Sequence, residues 1–435
     1  MRRLRWVLWS LGFACLWLPV LDDPPLRTDA YLVDVDAEGA TIGLVTAAPE
    51  SVRAIVHDAS GREVAELGAD GAGGEGVGVA RRRHWFAVRG LTAATRYEYE
   101  LRSQSGEVWR GRINTTPAPT DDRAPVKFAF LGDSGDQPWW VWLQRSPLWH
   151  WPARWGWFGD SDAVTRIGAA VAGYHPGFVL HLGDVIYPKG LHAHYRSGFF
   201  RPFAAALREA PFYALLGNHD VMDEGGLQLL ANLRPPLRPG GPTGDGRNLA
   251  FGWGALRVIL LDCNSEFTGE RVQPGHPAHT FLLRELAACR EPWVVVASHF
   301  PMRSQSRQRD RADMLTLLPE LEAYGVSLYL SGHDHCYQRF GAAAGSGPVL
   351  VVSGGGGKDL YDVAPARLGS QAGATAKAFH GCGVAVSGDR MVVVARGLDG
   401  GEIDRFELTL PAGEALASVA QRSPERAARI AKLRR

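Results

Sequence analysis

Five short polar clusters in this sequence combine side chains that hold hard and borderline metal ions. They read Gly132-Asp133-Ser134-Gly135, Gly183-Asp184-Val185-Ile186-Tyr187, Gly217-Asn218-His219-Asp220, Val296-Ala297-Ser298-His299 and Gly332-His333-Asp334-His335. The candidate ligands are Asp133, Asp184, Tyr187, Asn218, His299, His333 and His335, all oxygen or imidazole donors with no thiolate among them. That mixture suits iron, zinc or manganese, and the imidazoles argue against calcium. These groups exceed what one tetrahedral zinc needs. They are enough for two ions if one carboxylate is shared. The chemistry on offer is therefore that of a two-metal centre.

Taken singly, each cluster has a plainer explanation. A lone Asp133 or Tyr187 is more often a capped turn or a core phenol, and a lone His299 after a strand is usually a hydrogen-bonded structural histidine. Their order and setting change this. Each follows a short, continuous apolar run: Val126–Leu131, Phe178–Leu182, Phe212–Leu216, Val294–Ala297 and Val326–Leu330, with a further run at Val258–Leu261. Runs of that length without alternation predict strands buried on both faces, in a sheet between helices. One such helix is predicted where Val164, Ile167 and Val171 share a face. In open α/β sheets the binding crevice lies outside the carboxyl ends of the strands, so the five clusters should converge. The glycines beside them let the backbone turn sharply. Later runs at Val349–Val352, Met391–Ala395 and Arg405–Leu410 should complete the sheet.

The chain ahead of these runs has a different character. From Thr28 to Pro117 short alternating segments, such as Ala30–Val35 and Arg96–Arg102, are separated by turn residues that include a Gly-rich stretch at Gly71–Gly78. This predicts an antiparallel β-sandwich. A Pro-rich joint at Thr116–Pro125 separates it from the apolar runs. The first residues, Met1 to Arg5, are basic, and an uncharged apolar stretch follows from Trp6 to Leu21. That pattern fits an export signal, either cleaved or kept as an anchor. Of the 5 cysteines, Cys15 lies in this stretch; Cys263, Cys289, Cys336 and Cys382 could pair as disulfides or be buried thiols. The net charge of +1 carries no basic stripe outside the last turns, which argues against a nucleic-acid partner.

The order DxG, GDxxY, GNH[DE], VxxH, GHxH resembles the purple acid phosphatase branch of the metallophosphoesterase superfamily, over about Lys127 to His335. The resemblance implies a metallophosphoesterase core of mixed sheets flanked by helices, an α/β fold over residues 124–411. It is preceded by a fibronectin type III-like sandwich over 27–118, a signal or anchor over 1–24, and followed by a basic tail over 412–435. It also implies one metal on Asp133, Asp184, Tyr187 and His335 and a second on Asp184, Asn218, His299 and His333, with Asp184 shared. Where the wider superfamily reads DxH this sequence has Gly135, and the phenol of Tyr187 is available instead. A phenolate is a hard anionic donor, so the first ion is expected to be Fe(III), and the second zinc, iron or manganese. The implied activity is hydrolysis of phosphate monoesters by a metal-activated hydroxide. Alternatives are a phosphodiesterase acting on nucleotides or lipid headgroups, and a non-catalytic surface-binding protein. His219 adjoins a ligand without being one and is assigned to stabilising the transition state or protonating the leaving oxygen; Asp220 either orients it or caps a helix. Asp334 should point away from its flanking ligands and is left out.

Some features lie outside the resemblance. Half of the 14 tryptophans fall between Trp139 and Trp157, within an insertion spanning 136–160. Leaving the first cluster so closely, this stretch reads as a recognition wall, as a membrane-surface contact, or as a self-packed cover. The N-terminal segment offers a second membrane contact. His192, His194, His276, His279 and His380 match no motif. Gly354–Gly357 lacks the context of a phosphate loop and reads as a tight turn near the site. The basic tail, with Arg426 and Arg429 among others, is expected to be a solvated helical end.

Overall fold

The protein is described here from a computed structural model, which covers residues 26–68, 81–135, 163–222, 224–234, 241–265, 269, 271–341, 347–364 and 372–435. The apolar N-terminal segment and the tryptophan-rich stretch lie outside these residues. No helix among the described residues is long and apolar enough to cross a membrane.

The N-terminal part is all-β. Strands Tyr31–Val35, Gly39–Glu50 and Arg81–Arg89 form one antiparallel sheet, and Val52–His57, Glu63–Gly68, Arg96–Ser103 and Val108–Asn114 form another. Alternation along Arg96–Ser103 sends Tyr97, Tyr99 and Leu101 into the core. The Tyr97 hydroxyl accepts a hydrogen bond from the amide of Thr92 at 2.9 Å, pinning the turn that precedes its strand.

The C-terminal half is two mixed sheets packed face to face, as the resemblance implied, where the apolar runs alone predicted a single sheet. In the six-stranded sheet, Phe212–Ala214, Phe178–His181 and Val126–Leu131 are parallel neighbours, followed by the antiparallel strands His380–Ser387, Arg390–Gly397 and Glu402–Thr409. In the eight-stranded sheet, Leu256–Leu261, Trp293–Ser298, Leu328–Ser331 and Val349–Ser353 are parallel neighbours. The reason the runs do not alternate in polarity is now visible. Phe128 and Phe130 pack between the sheets, while Ala129 and Leu131 face the helix Ala163–Tyr174 with Val164, Ile167 and Val171. Likewise Trp293, Val295 and Ala297 point inward and Val294 and Val296 outward, beneath the helix Pro277–Ala288. Both faces exclude water, so both must be apolar.

The sandwich rests on the edge of the first sheet. Tyr213 donates to and accepts from the Val35 backbone, and the Tyr31 hydroxyl donates to Asn232 O at 2.8 Å. The strand it supports, Phe212–Ala214, leads into the Asn218 cluster. All four described cysteines, Cys263, Cys289, Cys336 and Cys382, are buried free thiols, so the disulfide alternative does not hold for them. Burial pushes the Cys289 and Cys382 thiols up to about 12.

The C-terminal tail is not a solvated end. Helices Gly413–Arg422 and Pro424–Leu433 pack back on the domain, and Arg426 is only 1% exposed. Its guanidinium donates to the carbonyls of Glu291 (2.9 Å), Pro292 and Gly325 (both 3.0 Å) and Tyr324. Arg429 pairs with Asp122 in the joint between the two halves. Basic composition concealed this, because an arginine that saturates backbone carbonyls is indistinguishable in sequence from one in water. Arg426→Met keeps the apolar stem but leaves those carbonyls unpaired. It should cost about 2–4 kcal/mol, read as a lowered thermal midpoint; an unchanged midpoint would mean the tail contributes nothing.

Candidate metal centre

The five clusters meet where the carboxyl ends of the two sheets come together. Three are carried by the parallel neighbours of the first sheet and two by Trp293–Ser298 and Leu328–Ser331 of the second. Gly332 N donates to His299 O at 3.0 Å within the second sheet, and His333 N reaches across to the first, donating to Asp133 Oδ2 at 2.9 Å. Asp133, Asp184 and His333 all adopt positive φ, at 60°, 51° and 66°. Non-glycine residues rarely do so, and strain of this kind persists only where surrounding structure dictates it.

Two donor groups result. In the first, the Tyr187 hydroxyl lies 2.9 Å from Asp133 Oδ1, 2.8 Å from Asp184 Oδ2 and 3.0 Å from His335 Nε2. The His335 ring is oriented by Nδ1, which donates to Asp359 O at 2.7 Å. A phenol has one proton and cannot satisfy three such neighbours. Burial, then the Asp133 and Asp184 carboxylates, push that phenol well above its ordinary range, so without a cation it stays protonated. A cluster of donors around a single hydrogen is a poor hydrogen-bond network and a good cation cage.

In the second group, His299 Nε2 is 3.1 Å and His333 Nδ1 3.0 Å from Asn218 Oδ1. His299 Nε2 is also 3.4 Å from Asp184 Oδ2, and its Nδ1 donates to Leu182 O at 2.8 Å. The same Asp184 oxygen therefore faces both groups. Donor atoms of Asp133, Asp184 and His299 lie within 4.8 Å of one another. Burial alone would push the His299 imidazole down, but Asp184 outweighs it and holds it up at about 9. Burial and the cationic His299 push His333 down to about 3, leaving it neutral. A neutral imidazole, an amide oxygen and a carboxylate are ligand-ready; His299 would release a proton on binding a cation. The donor set fits two metal ions.

Gly135 proves to be a steric requirement. A Cβ there would lie 1.8 Å from Val185 O, and the Gly135 carbonyl accepts from Tyr187 N at 2.9 Å. Exchanging a histidine for Gly135 thus lets the first loop close on the second and carry Tyr187 inward. Gly354–Gly357 lies near the site, running beside the first cluster: Gly356 N donates to Gly132 O at 2.9 Å and Lys358 N to Asp133 O at 3.0 Å.

His219 stands at the open edge of the centre, half-buried, its ring 4.5 Å from that of Tyr187. Its Nδ1 faces Pro188 O at 2.7 Å and donates to it, so the other nitrogen is left for a ligand. Of the two readings of Asp220, a partner for His219 or a helix cap, the contacts favour the cap. The Asp220 carboxylate is buried and accepts from the amides of Val185 (3.0 Å), Ile186 (3.3 Å) and Gly217 (2.9 Å). It ties the second loop to the third, and the orienting group is a backbone carbonyl. Asp334 points away as expected, toward Ser304 and Gln338. His276 caps the helix Pro277–Ala288, His380 bonds Ser353 Oγ at 2.9 Å, and His194 Nδ1 donates to Tyr187 O at 3.2 Å; none of the three joins the donor groups. Sequence gave no signal for Tyr361, which stacks on His335 from a loop beyond the last cluster.

The calcineurin-like phosphoesterase profile matches residues 126–337. Mouse tartrate-resistant acid phosphatase type 5 is 32% identical over 262 residues, 55% of this chain and 74% of that protein. The chain belongs to the calcineurin-like phosphoesterase family, in its purple acid phosphatase branch. Purple acid phosphatase 17 of Arabidopsis thaliana is 25% identical over 294 residues, covering 60% of this chain and 77% of its own. In fold, this family member is similar to a purple acid phosphatase from yellow lupin seeds, with a TM-score of 0.69 at 16% identity over 88% of this chain and 75% of that one.

Asp220→Ala should free three buried amides and loosen both loops, lowering metal affinity at least about tenfold. A metal titration checks this. Full metal affinity with hydrolysis alone reduced would return Asp220 to the service of His219.

Proposed function

We propose that this protein hydrolyses phosphate monoesters at a binuclear metal centre. The observation that carries the reading is the single Asp184 oxygen facing both donor groups. It supports one ion on Asp133, Asp184, Tyr187 and His335 and another on Asp184, Asn218, His299 and His333. The phenol of Tyr187 supports Fe(III) in the first position, and the second, with Asp184 its one anionic donor beside two imidazoles and an amide oxygen, supports a divalent zinc, iron or manganese ion. Such a pair, when bound, clamps the oxygens of an in-line displacement and supplies hydroxide at a working pH where free water cannot.

The remaining roles belong to the chain. Asp133 is fixed by the His333 amide, so only its other oxygen is presented to the centre. Asp184 is fixed in the same way by the amide of His219, whose N–H lies 2.8 Å from Asp184 Oδ1. Leu182 and Asp359 carbonyls set the tautomers of His299 and His335 so that Nε2 faces inward. His219, held through Pro188 and open to solvent on its far side, is the group we assign to protonating the leaving oxygen. The N-terminal strands, with their three- and four-stranded sheets and the Tyr97 turn, support a fibronectin type III-like supporting domain over 27–118, with the catalytic domain over 124–411. The basic and apolar opening segment supports export from the cytoplasm.

Asp184→Asn and His333→Ala should each lose metal and lower hydrolysis of a simple aryl phosphate by about 10³-fold or more; normal turnover by either would remove the two-metal reading. The iron-loaded protein should show a visible phenolate charge-transfer band that Tyr187→Phe abolishes. If wild type lacks the band, Fe(III) on Tyr187 is wrong.

A further inference from the structure

The loop that leaves His299 carries Arg303, Arg307, Arg309 and Arg311 in close succession. Two of them are engaged by neighbouring carboxylates: Arg303 lies 3.3 Å from Asp310 and Arg311 2.8 Å from Asp313. Arg307 is exposed and forms no ion pair among the described residues. Its guanidinium instead sits over the Tyr361 ring, 4.0 Å from the centroid. Tyr361 in turn stacks on His335, with ring centroids 4.1 Å apart and planes inclined by 24°. The middle layer is fixed by its backbone, since Tyr361 N donates to His335 O at 2.8 Å. The result is a three-layer column: imidazole, phenol, guanidinium. It stands on a residue of the first donor group, with the cation outermost. On the same flank, Lys358 Nζ lies 5.5 Å from the Tyr187 ring centroid.

The Tyr361 hydroxyl takes one hydrogen bond from Arg307, but a guanidinium carries five N–H donors, and those left over along its edge can meet an anion. Two ring spacings separate that edge from His335. Arg307 is therefore too far out to hold a phosphate seated between the donor groups, and is placed for a charge further along the same molecule.

We propose that Arg307, on its Tyr361 platform, determines substrate choice by binding a second anionic group of the ester. The preferred substrate class is then a phosphomonoester whose leaving part carries another phosphate or a carboxylate. This rests on the phosphomonoesterase reading above. It concerns which ester is chosen, and leaves the cleavage step unchanged.

The test compares phosphate release from glucose 1,6-bisphosphate and glucose 6-phosphate by the metal-loaded, full-length protein. Wild type should favour the bisphosphate, and that preference should weaken as salt is added. In Arg307→Ala the ratio of the two kcat/KM values should fall about tenfold, mainly through the KM of the bisphosphate. Arg307→Lys should keep only part of the preference, because an ammonium neither stacks flat nor forks. Arg309→Ala should keep all of it. A ratio unchanged in Arg307→Ala, with both sugars still hydrolysed, overturns the proposal alone. Hydrolysis of neither sugar by wild type overturns the phosphomonoesterase reading and the proposal with it.

Discussion

The centre depends on how one buried carboxylate is held. Asp184 is 1% exposed, and its two oxygens have different duties. Oδ1 accepts the His219 amide, while Oδ2 lies 2.8 Å from the Tyr187 hydroxyl and 3.4 Å from His299 Nε2. Burial would raise this carboxyl, but the cationic His299 beside it pulls it below the usual carboxylate range. That favours its anionic form. A buried anion is costly unless positive charge meets it from more than one side. The donors around Asp184 Oδ2 are arranged for that purpose, and the surrounding scaffold serves to keep them there.

The scaffold does so largely with backbone. Gly135, Gly217 and Gly332 have no room for a side chain: a Cβ at Gly217 would lie 2.1 Å from Asp184 Oδ1, and one at Gly332 2.5 Å from Asp133 Oδ2. Loops this close bring ligands from different strands within a few ångströms. They also force Asp133, Asp184 and His333 into left-handed conformations. Asp220 offsets part of that strain by gathering the amides of two loops onto one carboxylate. Farther out, the N-terminal sandwich and the C-terminal helices support the two halves of the site from opposite sides of the chain. Tyr213 anchors the strand before Asn218, and Arg426 ties down the turn before Leu328–Ser331.

Sequence carried the site further than it carried the fold. Which side chains converge, their order and their place after each strand could be read, because metal chemistry restricts residue type and a strand end restricts place. The second sheet was not separable from the first, because Phe128 facing a sheet and Ala129 facing a helix are equally apolar. Strands such as Tyr337–Phe340 and His380–Ser387 went unread, the first because it follows the His335 cluster almost directly and the second because Gly381 and Gly383 interrupt its apolar pattern. Roles that belong to backbone atoms were equally hidden: the carbonyls of Pro188, Leu182 and Asp359 orient three imidazoles, and no side chain announces them. Asp220 was left between orienting His219 and capping a helix, because adjacency in sequence does not say whether two side chains meet. Arg426 and Tyr361 show the same limit, each deriving its role from a partner far along the chain.

The central claim is that Asp184 joins two metal sites within one chain. Metal stoichiometry of the purified protein, measured by elemental mass spectrometry beside its phosphatase activity, tests it most directly. The account predicts two ions per chain, one of them iron, with activity lost as either is removed. A preparation that hydrolyses phosphomonoesters fully with a single ion, or with none, would contradict it.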